Sequence, residues 1–138
     1  MALILDTGVL FAALNEEDPE HLKCGALLTE ASETLVVPDP VLVELEYWMR
    51  KIASPDAWLA FCEDVHGGAY SLHPLDSATL LAASRLQVRY ADLSIGLVDA
   101  AVFVTCDVLG ERKVATLDQR HFRVLRTEDG KSLELLPE

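Results

Sequence analysis

Four acidic side chains stand where the sequence gives a carboxylate little reason to be. Asp6 ends the apolar run Ala2-Leu3-Ile4-Leu5, and Glu44 lies amid Val41, Leu42, Val43 and Leu45. Asp99 sits within Leu97-Val98-Asp99-Ala100-Ala101-Val102, and Asp118 closes Lys113-Val114-Ala115-Thr116-Leu117. Each alone has a plain explanation: Asp6 can bond the amides of a following helix, and any of the four can cap a helix or pair with a base. As a set they pose an electrostatic problem. Carboxylates brought together raise one another's pKa until some hold protons, and a hard divalent cation removes that conflict. Oxygen donors without a nearby His or Cys pair favour Mg²⁺ or Mn²⁺ over Zn²⁺.

Gathering these acids falls to the elements that carry them. The opening apolar run does not alternate, which is the mark of a strand buried on both faces. Thr7 then reads as the N-cap of a helix holding Val9, Leu10, Ala13 and Leu14. A helix is expected over about residues 19–31 with Leu22, Ala26 and Leu27 on its inner face, followed by the short strand Leu35-Val36-Val37. Asp39-Pro40 reads as cap and first position of a helix with Leu42, Leu45 and Met49 inside, and Ser54-Pro55 opens another that Gly67-Gly68 closes. Tyr70-Ser71-Leu72 predicts a third strand, and Asp76-Ser77 caps a helix holding Leu80, Leu81 and Leu86. Residues 97–109 form a helix apolar nearly all round, ended by Gly110, so Asp99 is expected to be buried. Residues 113–118 repeat the opening pattern of apolar strand then carboxylate, and 133–136 suit a last edge strand.

Strands alternating with helices predict one α/β domain over residues 1–138, a three-layer α/β/α sandwich around a mainly parallel central sheet. Parallel strands end at the same side, so Asp6 and Asp118 are expected to open onto the edge where such sheets bind ligands.

At 138 residues the chain hides roughly two-thirds of its unfolded surface. With 51% hydrophobic residues it is not a disordered chain. The start lacks the basic stretch of a secretion signal, and the apolar run 100–106 is bracketed by Asp99 and Asp107, which predicts no membrane span. Cys24, Cys62 and Cys106 lack metal-ligand spacing and read as core residues of a reduced, cytoplasmic protein. The net charge of −12 excludes a generally basic, nucleic-acid-coating surface. Its distribution says more: Arg112, Lys113, Arg120, Arg123 and Arg126 cluster late, a basic rim on an acidic body.

The order strand-Asp6-Thr7, Val43-Glu44-Leu45 on a helix, Asp99-Ala100-Ala101 on a helix, and Thr116-Leu117-Asp118-Gln119-Arg120-His121-Phe122 resembles the PIN domain. More closely, it is similar to the VapC-type toxins of bacterial toxin–antitoxin pairs. The likeness spans essentially the whole chain, and the last motif is its most specific part. The resemblance implies a metal-dependent ribonuclease whose acids are Asp6, Glu44, Asp99 and Asp118, with Thr7 and Thr116 as hydroxyl neighbours. It also implies a homodimer held inactive by a cognate, VapB-like antitoxin. The strongly acidic surface departs from the usual picture of easy RNA attraction.

On this reading Asp6, Glu44 and Asp99 hold one or two Mg²⁺ or Mn²⁺ ions that activate water for in-line attack on an RNA phosphodiester, and Asp118 binds the second ion or orients the water. Thr7 and Thr116 are expected to orient the carboxylates, and Asp92, in the connection before the Asp99 helix, to cap or support from behind. Arg112, Lys113, Arg120 and Arg123 are expected to position the RNA backbone, Arg120 foremost. His121, beside Phe122, is expected at the surface or a helix start. Two rivals stand beside the nuclease. One is a phosphatase with Asp6 as nucleophile, which usually needs a second carboxylate where Gly8 stands. The other is a catalytically silent module whose acidic pocket receives a basic side chain from a partner.

Overall fold

Ala2–Leu5 forms strand β1, and all four residues are buried. Alternate residues of a strand point to opposite faces, so burial of four in a row means that helices cover both sides of the sheet. The structure, a computed structural model, describes residues 1–138. After β1 come helices α1 (Thr7–Leu14) and α2 (His21–Glu30), strand β2 (Thr34–Pro38), helices α3 (Asp39–Ile52) and α4 (Pro55–His66), and strand β3 (Ser71–His73). Helix α5 (Ser77–Arg89), a 3-10 turn at Ala91–Leu93 and helix α6 (Leu97–Leu109) lead to strands β4 (Lys113–Ala115) and β5 (Glu134–Leu136). The sheet order is β3-β2-β1-β4-β5, and every neighbouring pair is parallel. The expected α/β/α sandwich is therefore the fold, with a wholly parallel sheet.

This order has one physical consequence for function. The chain builds outward from β1 through β2 to β3 on one side, then returns to lay β4 on the other side of β1. Connections leave β1 and β4 in opposite directions, which opens a crevice at their carboxyl ends. Asp6 is the first residue past β1, and its N–H donates to the carbonyl of Ala115, the last residue of β4, at 2.9 Å.

Several local expectations shift by a residue or a face. The N-cap of α1 is Asp6, not Thr7: its backbone is extended and its carboxylate accepts from the Thr7 N–H. Helix α3 begins at Asp39 with Pro38 as its cap, because Pro40 is tolerated anywhere in a first turn, where no amide is needed. On α2 the buried residue is Cys24, while Leu22 is 83% exposed. The His21 ring, with Nδ1 2.9 Å from the carbonyl oxygen of Ala12, ties the first turn to α1, which rolls His21, Cys24 and Leu28 inward and Leu22 out. On α5, Leu80 and Leu81 stand exposed, and Thr79, Ala83 and Leu86 make the inner stripe at helical spacing. The apolar stripe of α3 is Val41, Leu45 and Met49.

Gly110 ends α6 in the left-handed region at φ 67°, with its N–H donating to the Asp107 carbonyl and Glu111 closing back onto Cys106. A Cβ there would meet no neighbouring atom, so only the backbone conformation resists substitution. Gly110→Ala is expected to lower stability by about 1 kcal/mol. It would register as a lower urea midpoint with an unchanged slope. No helix is long and apolar enough to cross a membrane.

Candidate active site

The crevice between β1 and β4 is built around Asp6. Its side chain is buried, yet both oxygens are engaged: Oδ1 accepts from the Thr7 N–H at 2.8 Å, and Oδ2 accepts from the Thr116 hydroxyl at 2.9 Å. Thr116 follows β4 directly, so the two central strands deliver carboxylate and hydroxyl to one point from 110 positions apart. Burial pushes the Asp6 carboxyl up to about 6, and the charges of Asp99 and Glu44 push the same way, against the two hydrogen bonds that favour the anion. Two further carboxylates from α6 and α3 thus lie close enough to act on Asp6 through space. A buried acid with two anionic neighbours is a site that prefers a cation.

Asp99 stands in the first turn of α6, partly exposed rather than enclosed as its apolar surroundings predict. The apolar residues of α6 that are fully buried begin at Ala100, so the helix enters the core one residue later, and Asp99 lies at its mouth. Its Oδ2 lies 2.9 Å from His121 Nδ1. A carboxylate can only accept, so Nδ1 carries the proton and donates. His121 is therefore not an uncommitted surface residue. The signal was its neighbour: Phe122 is buried and anchors the segment beside α6, which turns His121 toward Asp99. Glu44 on α3 is exposed, and its charge still reaches Asp6.

Asp118 departs from expectation. Strand β4 ends at Ala115, and Asp118 lies three residues beyond, its side chain 59% exposed and gripped by Arg120. Arg120 Nε donates to Oδ1 and Nη2 to Oδ2, both at 2.9 Å. This fork holds the Asp118 carboxyl below the usual carboxylate range. Arg120 is thus engaged with an acid, and Asp118 meets the crevice through its backbone: its carbonyl lies 3.2 Å from the Thr116 hydroxyl.

The structure also divides the basic residues. Lys113 opens β4 and pairs with Glu33 at 2.9 Å, and Arg112 precedes it. Both sit at the amino end of the sheet, the opposite edge from Asp6, because a strand rises about 3.3 Å per residue and keeps its two ends apart. Arg123, whose Nη2 donates to Gln119 at 3.2 Å, stays on the carboxyl side with Arg120. Asp92 is exposed in the 3-10 turn and makes no capping bond. Thr7 donates its backbone N–H to Asp6, but its buried Oγ1 has no partner, so the hydroxyl does not orient a carboxylate.

Oxygen donors dominate this edge: the carboxylates of Asp6, Glu44 and Asp99, and the buried, unpartnered hydroxyl of Thr7. They share the crevice without closing into a preformed cage of three ligating side chains. The donor chemistry fits a hard divalent cation, which would take water for its remaining positions.

The sequence pattern of the PIN domain matches residues 3–126. The chain belongs to the PIN-domain family. Among curated proteins, the ribonuclease VapC26 of Mycobacterium tuberculosis (strain ATCC 25618 / H37Rv) is 33% identical over 135 residues, covering 98% of this chain and 100% of that protein. The crystal structure of VapC20 from the same species, a sarcin–ricin loop cleaving toxin, superposes with a TM-score of 0.75 at 18% identity, over 81% of this chain and 86% of that one. DNA-bound VapBC from Salmonella typhimurium gives a TM-score of 0.69 at 20% identity over 98% of each chain. In this chain Asp6 stands at the switch point between β1 and β4.

Proposed function

We propose that this PIN domain is a divalent-metal-dependent endoribonuclease, the toxin of a type II toxin–antitoxin pair. The observation that carries the reading is Asp6: buried, held by Thr7 and Thr116, and loaded by the charges of Glu44 and Asp99. The similarity to VapC26 over nearly the whole of both chains supports RNA as substrate.

Asp6, Glu44 and Asp99 would hold Mg²⁺ or Mn²⁺. The bound cation supplies Lewis-acid charge at a phosphodiester and lowers the pKa of water beside it. Everything else falls to the chain's own groups. The Thr7 N–H and Thr116 hydroxyl fix both oxygens of Asp6 in place before substrate arrives, so no reorganisation is needed there. His121 Nδ1 fixes Asp99 in the same way from the other side. Asp118 serves as a further ligand only by releasing Arg120, which would then be free to take a phosphate.

The antitoxin-bound neighbours support a protein partner. Val43, Tyr47, Trp48 and Ile52 stand exposed on α3 around Glu44, an apolar surface of the kind partners cover, and we read it as serving the antitoxin or a second copy in a homodimer. A cytoplasmic setting fits the three free cysteines.

The deciding experiment is RNA cleavage by the purified chain with EDTA, Mg²⁺ or Mn²⁺. Cleavage is expected only with a divalent ion. Release of inorganic phosphate from monoesters instead would favour Asp6 as a phosphatase nucleophile. Neither activity under any ion would leave an acidic pocket that only receives a basic partner.

A further inference from the structure

A second cleft lies away from the carboxylates. It runs along the seam of α5 and α6, has a volume of about 510 Å³, and is closed on one side by the segment after His121. Phe103 forms part of its apolar floor, and three arginines stand round it: Arg85 and Arg89 on α5, and Arg126. In a chain with only 11 basic residues against 23 acids, three guanidiniums at one cleft are a concentration. Arg85 and Arg89 lie one helical turn apart, and neither is tied to a carboxylate. Arg126 is pinned: its Nη1 donates to the carbonyls of Arg123 at 2.8 Å and Leu125 at 3.0 Å, which leaves its remaining N–H groups for a ligand.

Two carboxylates share the cleft, Asp107 and Glu128, and the Glu128 N–H donates to Asp107 Oδ1 at 3.4 Å. They decide what kind of anion fits. The side-chain carboxylates of an acidic peptide are acceptors only and meet repulsion from both. A nucleotide offers phosphate oxygens for guanidiniums, ring N–H and amino donors for carboxylates, and an apolar base face for the floor. Helix α6 carries both Asp99 of the crevice and the Phe103 to Val108 wall of the cleft. The segment that sets His121 on Asp99 runs along α6 and brings Arg126 to the cleft five residues later.

Resting on the nuclease reading for the identity of the strand, we propose that this cleft is a second RNA subsite. It takes a nucleotide of the substrate away from the scissile bond, with phosphate on Arg85, Arg89 and Arg126 and the base edge on Asp107 and Glu128. A single strand reaches both sites, and base preference at the distal position comes from the two carboxylates, which favour guanine because its ring N–H and amino group donate side by side.

The test is fluorescence anisotropy of a labelled single-stranded RNA of about 12 nucleotides with the metal-free chain in EDTA. The double variant Arg85→Ala/Arg89→Ala is expected to bind about tenfold more weakly, with a salt slope lower by about 1.4, two contacts at about 0.7 each. Lys23→Glu on α2 is the control: it changes net charge by −2, as the two arginine removals do, and is expected to bind like the parent. Equal weakening by both variants, or none by the double variant, overturns the subsite, as does displacement of the RNA by a polyglutamate peptide. Cleavage with Mg²⁺ or Mn²⁺ separates the two readings. A parent that binds through these arginines but leaves RNA intact overturns the nuclease and not the cleft. A parent that cuts RNA with no rise in KM in the double variant overturns the cleft alone.

Discussion

Asp6→Asn is expected to lower metal-dependent RNA cleavage by about three orders of magnitude or more, and at the same time to make the metal-free protein more stable. The two effects share one cause. Asp6 is buried beside the charges of Asp99 and Glu44, so the folded state holds its proton up to about pH 6, against an ordinary value of 3.8. Between those two values the folded chain binds the proton more readily than the unfolded chain, so stability rises as pH falls through 6 toward 3.8. Above pH 6 the parent carries the whole penalty, about 3 kcal/mol. An amide carries no charge to bury. It also keeps the local bonds: its oxygen accepts from the Thr7 N–H, and its NH₂ donates to the Thr116 hydroxyl, which turns its own hydrogen to the Asp118 carbonyl 3.2 Å away. Urea unfolding in EDTA at pH 8 should therefore show the variant more stable, with the gap closing by about pH 4. A variant that still cleaves RNA at the parent's rate sinks the catalytic assignment. One that is less stable than the parent at pH 8 sinks the electrostatic account of the site.

Phe122→Ala is expected to cost about 3–5 kcal/mol, the usual penalty for emptying a buried phenyl site. Phe122 is 1% exposed and is the anchor between Asp118 and the Leu125 contact, also fully buried. A domain of this size has a total stability of about 5–15 kcal/mol, so the variant should be close to the limit of folding at room temperature. The loss should reach the site as well. The ring of His121 is held on Asp99 by its neighbour's packing, and freeing it should remove the Nδ1–H resonance that the hydrogen bond protects from solvent in the parent's NMR spectrum. A loss below about 1 kcal/mol would mean that the 118–125 segment is not packed on the core as described.

The difference between these two residues marks where reading the chain reaches its limit. Asp6 was legible because its signal is local: an unbroken apolar run, then a carboxylate, then a helix. Asp99 and Glu44 were legible as acids out of place in apolar stretches, though Asp99 proved to lie at the mouth of α6 rather than inside it. Asp118 was placed at a strand end because Thr116-Leu117 continues the apolar run; pairing with β5 stops at Ala115, and no local feature marks that stop. Lys113 looked like part of a basic rim because charge was counted along the chain, whereas β4 carries it to the far edge and Glu33 neutralises it.

By itself the sequence determined the alternation of strands and helices, the burial of β1 on both faces and the carboxylate that ends it, because periodicity and capping act within a few residues. The tertiary structure alone decided the order of the strands, and with it the switch point that joins Asp6 to Thr116 across 110 positions. It decided too that His121 serves Asp99, that Arg120 occupies Asp118, and that Arg85, Arg89 and Arg126 meet at one cleft. Those pairings depend on how whole elements pack, and packing energy is shared among many side chains, so no short stretch of chain carries it.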